Sequence, residues 1–408
     1  MATFKNDPLS YQVIGCALEV YKTLGPGLLA EKYLFHADCA EYAERWSSLS
    51  AISRNACVSI QNKGPVGFTK FSGFCVQKYN NSQMSLIYHS NGKFLLTGEY
   101  LVLKGALALA IPLKLGQSLQ VSLADTDTHR LHWIASQPEK PWFSVLFDSE
   151  TLQPLSTDDC SKAEKLASIL KAVRQLKPNA FSGCDMRFRT HLDFDPNWGL
   201  GSSSTLIANL ARWANIDPYE LLKMTFGGSG YDIACATAEG PIYYQLSTTE
   251  SALRQAKGPK VVEPVETPTP KVEPINFTPP FADHLFFIYQ GKKQSSSKEV
   301  KAFLEKTNPV DLQKDIEAIS GISRAVPKCE SLDEFAMLMQ CHERIITRCI
   351  GQEPVQKLFP DFEGVLKSLG AWGGDFILAA TDWTEDQVKD YFKRKGLEVI
   401  FGYKEMVL

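Results

Sequence analysis

The sequence predicts a mixed fold, α/β or α+β, because stretches typical of strands alternate with stretches typical of helices over most of its length. Residues 117–123 and 131–147 alternate apolar and polar side chains, as half-buried strands do. Residues 163–176 carry apolar side chains at helical spacing. Strands are also predicted at 86–88, 94–96, 184–194, 285–289 and 376–380, and helices at 312–326, 332–349 and 388–395.

The composition is typical of a soluble protein with two or three domains. The chain has 408 residues, of which 44% are hydrophobic and 22% charged, and its net charge of -3 gives no electrostatic argument for nucleic acid or a membrane as a partner. No apolar run approaches the roughly 18 residues of a membrane span, and the N-terminus lacks the pattern of a secretory signal. We therefore expect neither nucleic acid nor a membrane as a partner. We also expect a small-molecule substrate and a monomer or homodimer.

The ten cysteines are scattered along the chain. They form no Cys-x-x-Cys pair and no cluster with histidine at the spacing of a zinc site. This pattern predicts free thiols in a reducing, cytoplasmic compartment.

Four zones of the chain differ in character. Residues 1–83 are polar and are predicted to be a poorly structured N-terminal extension, with 55–84 interpreted as irregular. Regular patterning covers 84–256 and again 283–408. Residues 257–282, between them, are rich in Pro, Glu, Lys and Thr, which is typical of an exposed loop or linker.

The most informative motif is Gly-Leu-Gly-Ser-Ser-Ser at 199–204, which follows Pro196 and precedes an apolar run. Glycines allow a ligand to approach the backbone, and serines favour a helix N-terminus, where unpaired N–H groups and the helix dipole attract anions. The motif lacks the lysine of a P-loop, and Gly/Ser clusters are more often plain loops. It is therefore a candidate phosphate-binding loop that opens a helix. How specific this signal is depends on the other motifs in the chain.

Three further motifs accompany this loop. Residues 92–100 begin with Gly-Lys and contain Gly-Glu, residues 227–234 read Gly-Gly-Ser-Gly-Tyr-Asp-Ile-Ala, and residues 370–375 read Gly-Ala-Trp-Gly-Gly-Asp. The four motifs in this order are far more specific than any one of them alone.

Together they resemble the motifs of GHMP kinases, the superfamily of galactokinase and of homoserine, mevalonate and phosphomevalonate kinases. Residues 196–203 are similar to its Pro-x-x-Gly-Leu-Gly-Ser-Ser phosphate loop, 92–99 to its opening Gly-Lys…Gly-Glu pattern, and 370–374 to its C-terminal Gly-Ala-Gly-Gly-Gly motif. Residues 228–232 most resemble phosphomevalonate kinases and a bacterial group named after its Gly-Tyr-Asp-Ile-Ala string.

The resemblance covers about residues 86–408. It implies a two-lobed α+β fold, with an N-terminal lobe like ribosomal protein S5 domain 2 and a ferredoxin-like α+β C-terminal lobe.

The resemblance also implies transfer of the γ-phosphoryl group of ATP, with Mg²⁺, to mevalonate or 5-phosphomevalonate. It implies Asp232 as the group that accepts the substrate proton or orients the nucleophile, and Lys93 as the cation beside the transferred phosphoryl group. The residues expected to hold ATP are Pro196, Gly199, Leu200, Gly201, Ser202, Ser203 and Ser204. Those expected at the acceptor are Glu99, Gly230, Lys292, Ser296, Gly373 and Gly374, and those expected at Mg²⁺ are Ser203 and Glu220.

Several of these roles have structural alternatives. They are an N-cap for Asp232, a solvated strand lysine for Lys93, a surface helix glutamate for Glu220, and an exposed basic turn for Lys292 with Ser296. Glu99 is expected to orient its loop more than to act chemically.

Two residues depart from the family pattern. Trp372 replaces a glycine of the last motif, and Asp375 adds a carboxylate near the expected phosphates, where we expect it to organise the loop. A sugar or another small alcohol is therefore an alternative acceptor. An enzyme like diphosphomevalonate decarboxylase and a catalytically silent binding protein of the same fold are further alternatives.

Residues 11–33 resemble the opening of the small bacterial GxxExxY proteins. Ala30 stands where the glutamate of that motif belongs, although Glu31 and Tyr33 are close by. Because about thirty residues cannot hold an independent core, we expect a truncated fragment fused upstream, with Met84 as the start of the kinase. A docking arm is the alternative.

Overall fold

The computed structural model describes residues 68–71, 74–78, 84–123, 128–182, 185–246, 270–292, 300, 303–305, 312–370 and 375–408. Several sequence predictions lie outside these residues: the GxxExxY-like fragment at 11–33, the loop from 247 to 269, and Ser296, Trp372, Gly373 and Gly374.

The larger sheet has ten strands among the described residues and forms the N-terminal lobe. The strands are β1 (Phe68–Phe71), β2 (Phe74–Lys78), β3 (Met84–Thr97), β4 (Ala108–Leu123), β5 (Arg130–Gln137), β6 (Lys140–Asp148), β7 (Pro154–Thr157), β8 (Met186–Leu192), β9 (Ile242–Gln245) and β10 (Lys271–Pro274). Their order is β1-β2-β3-β4-β8-β5-β6-β7, while β9 pairs with β4 and β10 pairs with β9. The pair β5–β8 is parallel and the others are antiparallel.

Three helices pack on this sheet, α1 (Cys160–Leu176), α2 (Ser202–Ala214) and α4 (Tyr231–Thr237), and α3 (Pro218–Thr225) packs on α1 and α2. Burial alternates along β5 and β8, so that one face of each strand turns to the helices. Trp133 and Phe188 from that face stack at 5.2 Å between ring centroids, in the same apolar cluster as Leu170 of α1 and Leu210 of α2. This core fixes α2 against the strands.

The C-terminal lobe contains a four-stranded antiparallel sheet in the order β12-β13-β11-β14. Its elements are β11 (Leu285–Tyr289), β12 (Val365–Leu369), β13 (Phe376–Ala380), β14 (Ile400–Gly402), α5 (Gln313–Ala325), α6 (Leu332–Ile350), α7 (Glu385–Arg394) and α8 (Tyr403–Met406). Short 3₁₀ helices cover Leu101–Lys104, Ala282–His284, Val326–Lys328 and Val355–Leu358. Phe94 of β3 stacks on Phe287 of β11 with their ring centroids 4.8 Å apart, in an apolar cluster that joins the two sheets.

Most predicted elements are found within a few residues of their expected bounds, including β11, β13 and helices α1, α5, α6 and α7. The separate strands predicted at 86–88 and 94–96 are instead one strand, β3. A register shift between Asn91 and Lys93 accommodates Gly92 inside it. Gly92 therefore lies at a bulge in a continuous strand.

Two expectations about irregular segments were wrong. Within 55–84, β1 and β2 form a hairpin that extends the large sheet from β3, so that the sheet begins well before Met84. Within the linker expected at 257–282, β10 pairs with β9. All four residues of β10 are exposed and the last is Pro274, which is typical of an edge strand. Its polar composition explains why the sequence resembled a linker.

Among the described residues, none of the helices combines the length and apolar character needed to cross a membrane.

Candidate functional site

Lys93 lies at the centre of the candidate site. Its ammonium group donates to the carbonyl oxygen of Gly199 at 3.1 Å, and its backbone N–H donates to the carbonyl oxygen of Leu200, also at 3.1 Å. The strand that carries the lysine is therefore attached at two points to the loop 199–201. We call this loop the phosphate-binding loop, after the role that the sequence predicts for it.

Two glycines permit this close approach. A Cβ atom on Gly92 would lie 2.8 Å from the carbonyl oxygen of Leu115 and 3.1 Å from that of Leu200. Gly199 has a φ of 72°, and a Cβ there would lie 2.7 Å from Cγ of Asp375. A side chain at either position would force neighbouring atoms apart.

Helix α2 begins directly after the phosphate-binding loop, at Ser202, and has no side-chain cap. By contrast, Asp159 caps α1 and Asp217 caps α3. An uncapped helix end with backbone N–H groups available suits an oxygen anion. Ser203 is exposed there and Ser202 is half-buried. The geometry thus fits the phosphates that the sequence predicts.

Ser204 differs from its two neighbours. Its side chain is buried, and its hydroxyl donates to the carbonyl oxygen of Gly201 at 2.9 Å. The same hydroxyl lies beside the carboxylate of Asp232, where it lowers the pKa of that group. The hydroxyl of Ser204 therefore faces the interior. For the predicted contact with ATP, Ser204 has only its backbone N–H to offer.

Asp232 lies in the first turn of α4, whose N-cap is Gly230. The N-cap alternative for Asp232 is therefore excluded. Burial raises the pKa of the carboxyl group, while Lys93, the N–H of Ile233 at 3.1 Å and Ser204 each lower it, and the net direction is upward. Asp232 is thus a stronger base than an ordinary aspartate.

Tyr231 is a member of the site that sequence reasoning missed. The ammonium group of Lys93 lies 5.7 Å from the centre of its ring. Burial raises the pKa of Tyr231 to about 12, although Lys93 lowers it. For Lys93, burial lowers the pKa, but Tyr231, Asp232 and Asp375 outweigh it and the net direction is upward. The only available signal was the position of Tyr231 beside Asp232 in the Gly-Tyr-Asp string.

Asp375 reaches the phosphate-binding loop from the C-terminal lobe. Its carboxylate is 5% exposed and lies against Gly199 and Gly370, where a Cβ on either glycine would come within 2.7 Å of it. Its backbone N–H donates to the carbonyl oxygen of Lys292 at 2.8 Å, while the side chain of Lys292 is exposed. The position agrees with the expected role of Asp375 in organising the loop.

Glu99 forms a buried ion pair with Lys367, and its second carboxylate oxygen is 3.1 Å from Nε2 of His342. Its carboxylate is thus engaged inside the protein, which corrects the expectation that it contacts the acceptor. The orienting role also expected for Glu99 agrees with this position.

The structure assembles no complete metal site at the residues predicted for Mg²⁺. Among the described residues, no group of three or more His, Cys, Asp or Glu side chains is arranged to hold a metal ion. Glu220 is half-buried in the first turn of α3, where its backbone N–H approaches Asp217 at 3.4 Å. Ser203 offers an exposed hydroxyl at the helix end, and a hard cation such as Mg²⁺ accepts oxygen donors of this kind.

A buried polar network under α2 was also missed by sequence reasoning. Thr205 donates to the side-chain oxygen of Gln117 at 2.8 Å, Asn209 donates to the backbone oxygen of Gln117 at 2.8 Å, and Ser90 donates to Asn209 at 2.9 Å. These bonds attach α2 to β3 and β4. They hold the helix end that carries Ser202 and Ser203 in place.

Several solved structures with a similar fold are named as kinases. The mevalonate kinase of Methanococcus jannaschii is 15% identical, with 79% of this chain and 98% of that one covered and a TM-score of 0.55. The phosphomevalonate kinase of Streptococcus pneumoniae, solved with phosphomevalonate and AMPPNP, is 15% identical, with 78% and 99% covered and a TM-score of 0.56. A D-glycero-D-manno-heptose 1-phosphate kinase from Bacteriodes thetaiotaomicron is 15% identical, with 80% and 95% covered and a TM-score of 0.51. No protein-family model and no curated protein sequence matches the chain.

The protein therefore has the two-lobed α+β fold of the GHMP kinases, as the sequence predicted. Fold alone does not define an activity.

Proposed function

We propose that the protein is an ATP-dependent kinase of a small molecule, with mevalonate or 5-phosphomevalonate as its acceptor. The observation that carries the proposal is the meeting of Lys93 and Asp232 at the uncapped end of α2. Phosphoryl transfer depends mainly on positioning and on stabilisation of charge. An anion-binding helix end, a buried cation and a carboxylate of raised pKa supply these requirements.

In the proposed reaction, the acceptor hydroxyl oxygen forms a bond to the γ-phosphorus of ATP, and the bond from that phosphorus to the bridging oxygen breaks. The hydroxyl proton passes to the carboxylate of Asp232, whose raised pKa makes it a more effective base. Lys93 remains an ammonium ion near neutral pH, because the charges around it raise its pKa. It would stabilise the negative charge on the transferred group.

The phosphates of ATP would lie on the backbone N–H groups at the start of α2, next to Ser202 and Ser203. Mg²⁺, when bound with the nucleotide, would neutralise phosphate charge. The exposed hydroxyl of Ser203 is the side-chain group best placed to help hold it.

Two observations support the choice of acceptor. The Gly-Ser-Gly-Tyr-Asp string that ends at Asp232, together with Asp375, most resembles phosphomevalonate kinases. The side chain of Lys292 is exposed beside the backbone of Asp375 and suits an acceptor that carries an anionic group. A sugar phosphate is a second candidate acceptor, since a heptose 1-phosphate kinase shares the fold.

The test is acceptor-dependent consumption of ATP by the full chain in the presence of Mg²⁺. Mevalonate, 5-phosphomevalonate, diphosphomevalonate, homoserine and sugar phosphates are supplied in parallel, with Asp232→Asn as the inactive variant. Lys395→Met, in an exposed ion pair with Asp361, is the matched control that should retain activity.

Phosphorus NMR of the products identifies the acceptor, and release of CO₂ identifies a decarboxylase. We expect one acceptor to be phosphorylated by the wild type and by Lys395→Met and not by Asp232→Asn. A folded wild type that binds ATP and phosphorylates none of these compounds would contradict the proposed acceptors. Equal turnover by Asp232→Asn would contradict the proposed site.

A further inference from the structure

A cluster of buried ionisable groups lies between the two lobes, outside the site described above. It contains Glu99 in the loop after β3, Lys367 of β12 and His342 of α6, with exposed fractions of 4%, 1% and 0%. The buried Glu343 of α6 interacts electrostatically with Lys367 and Glu99. Lys367 forms an ion pair with one carboxylate oxygen of Glu99. The other oxygen lies 3.1 Å from Nε2 of His342.

The charge on Glu99 follows from its surroundings. Burial raises the pKa of Glu99, but Lys367 and His342 outweigh it and the net direction is downward. Burial, together with Lys367, lowers the pKa of His342. Nε2 of His342 also lies 2.9 Å from the backbone N–H of Gly98, so the imidazole contacts both the carboxylate and the backbone of the loop that carries it. Glu99 is therefore held as a carboxylate in its pair with Lys367.

The position of the cluster connects it to the phosphate-binding loop from two sides. Glu99 follows β3, the strand in which Lys93 contacts Gly199. Lys367 lies in β12, whose last residue, Leu369, pairs with Phe376 of β13, the residue that follows Asp375. Lys93 and Asp375 contact the same glycine of the loop from the two lobes. The ion pair thus joins the two chain segments that carry these contacts.

A buried ion pair is weak evidence for a gain in stability, because desolvation of both charges offsets their attraction. What such a pair does provide is a defined distance between the elements that carry it, since loss of either partner leaves an uncompensated buried charge. Here those elements are the N-terminal and C-terminal lobes.

We propose that Glu99, Lys367 and His342 form an interlobe clamp that positions Lys93 and Asp375 around the phosphate-binding loop, and so sets the affinity for ATP. The role in ATP affinity rests on the proposed function, whereas the positioning of the loop does not. These three are positioning residues, since they act on the loop only through β3 and β12.

A second contact between the lobes should keep clamp variants folded. The hydroxyl groups of Thr97 and Ser323 lie 2.7 Å apart, and Ser323 also donates to the carbonyl oxygen of Leu107 at 2.7 Å. This contact keeps the end of β3 against α5 without the ion pair.

The experiment uses the full chain and the variants Lys367→Met, Glu99→Gln and the double variant. Two quantities are measured: the Kd for ATP by calorimetry, and hydrogen exchange of the peptide that contains 199–205 without nucleotide. The control is Val388→Ala, a buried substitution in α7 that belongs to a separate apolar cluster of the C-terminal lobe. It lowers stability without touching the clamp.

We expect each single variant to raise the Kd for ATP by about tenfold or more, the effect of roughly 1.4 kcal/mol, and to speed exchange in 199–205. In the double variant, the Kd for ATP and the exchange rate should rise no more than in the single variant with the smaller effect, because the double variant removes both members of the ion pair. Val388→Ala should change neither quantity.

Single variants that lose thermal stability like Val388→Ala, but keep the wild-type Kd and loop exchange, would overturn the clamp. A folded wild type that does not bind ATP would overturn the proposed function and the clamp's role in ATP affinity. In that case loop exchange alone decides the positioning role: faster exchange in the single variants supports it, and unchanged exchange overturns it.

Discussion

The ammonium group of Lys93 lies 3.1 Å from the carbonyl oxygen of Gly199, the glycine that opens the phosphate-binding loop. Since the backbone N–H of the same lysine donates to Leu200, the loop and β3 form one unit. The carboxylate of Asp375 lies against the same glycine from the other lobe. The loop is therefore held between a cation and an anion that belong to different sheets.

Gly199→Ala should weaken ATP binding and lower stability. At a φ of 72°, an alanine costs about 1–2 kcal/mol in backbone strain, and its Cβ would in addition lie 2.7 Å from Cγ of Asp375. Gly227→Ala is a matched control, because Gly227 has a φ of 65° and open space around the added Cβ. Thermal unfolding and the Kd for ATP measure both effects. Equal effects of the two substitutions would mean that the contact with Asp375 is unimportant.

The acidic limb of the pH profile of kcat/KM should report Asp232. The carboxylate must be ionised to accept a proton, and burial raises its pKa above the ordinary value of 3.8. Activity should therefore fall as the pH decreases through a range higher than that of an ordinary aspartate. Because Lys93 lowers the pKa of Asp232, the residual activity of Lys93→Met should show a limb at higher pH.

The control for that profile is Lys395→Met, which removes a lysine from the surface of the other lobe. Its limb should coincide with that of the wild type. A limb in Lys93→Met that stays in place or moves to lower pH would show that Lys93 and Asp232 are not electrostatically coupled.

Glu343→Gln should gain stability relative to the wild type as the pH rises. Burial raises the pKa of Glu343 from 4.5 to about 7, against the opposing effects of Lys367 and the N–H of Ser368. The folded state thus binds a proton that the unfolded state releases between these values. The contribution of Glu343 to the free energy of unfolding therefore falls as the pH rises from about 4.5 to about 7, by up to about 3 kcal/mol.

Urea unfolding of both proteins at pH 5 and pH 8 measures this difference. The exposed Glu353→Gln provides the comparison for loss of a surface carboxylate. A stability difference between Glu343→Gln and the wild type that is the same at both pH values would contradict the raised pKa of Glu343.

The fold was largely predictable because its elements carry strong local periodicity. Helix α6 and strand β13 lie within a residue of their expected bounds, since their apolar patterns and caps are local signals. Strands β1, β2 and β10 were missed because they are short or exposed segments stabilised by pairing with a neighbouring strand, which no local pattern reveals.

The site was predictable in part, for the same reason. Glycines and serines mark Lys93, Asp232 and the loop 199–204 in the sequence, and the structure brings these residues together. The partners of Glu99 were not found, because Lys367 and His342 are distant in sequence and reach it only in the folded protein. Ser203 and Ser204 are identical residues side by side, and only the phase of α2 decides that one is exposed and the other buried.

The central claim, that Asp232 accepts a proton during phosphoryl transfer at this loop, is tested most directly by single-turnover transfer from ATP. The experiment compares the wild type with Asp232→Asn, using the acceptor that the product analysis identifies, after ATP binding by both proteins has been measured. We predict a similar Kd for ATP and a transfer rate that falls by about 10²- to 10⁴-fold in the variant. Transfer at the wild-type rate by a variant that binds ATP normally would contradict the account.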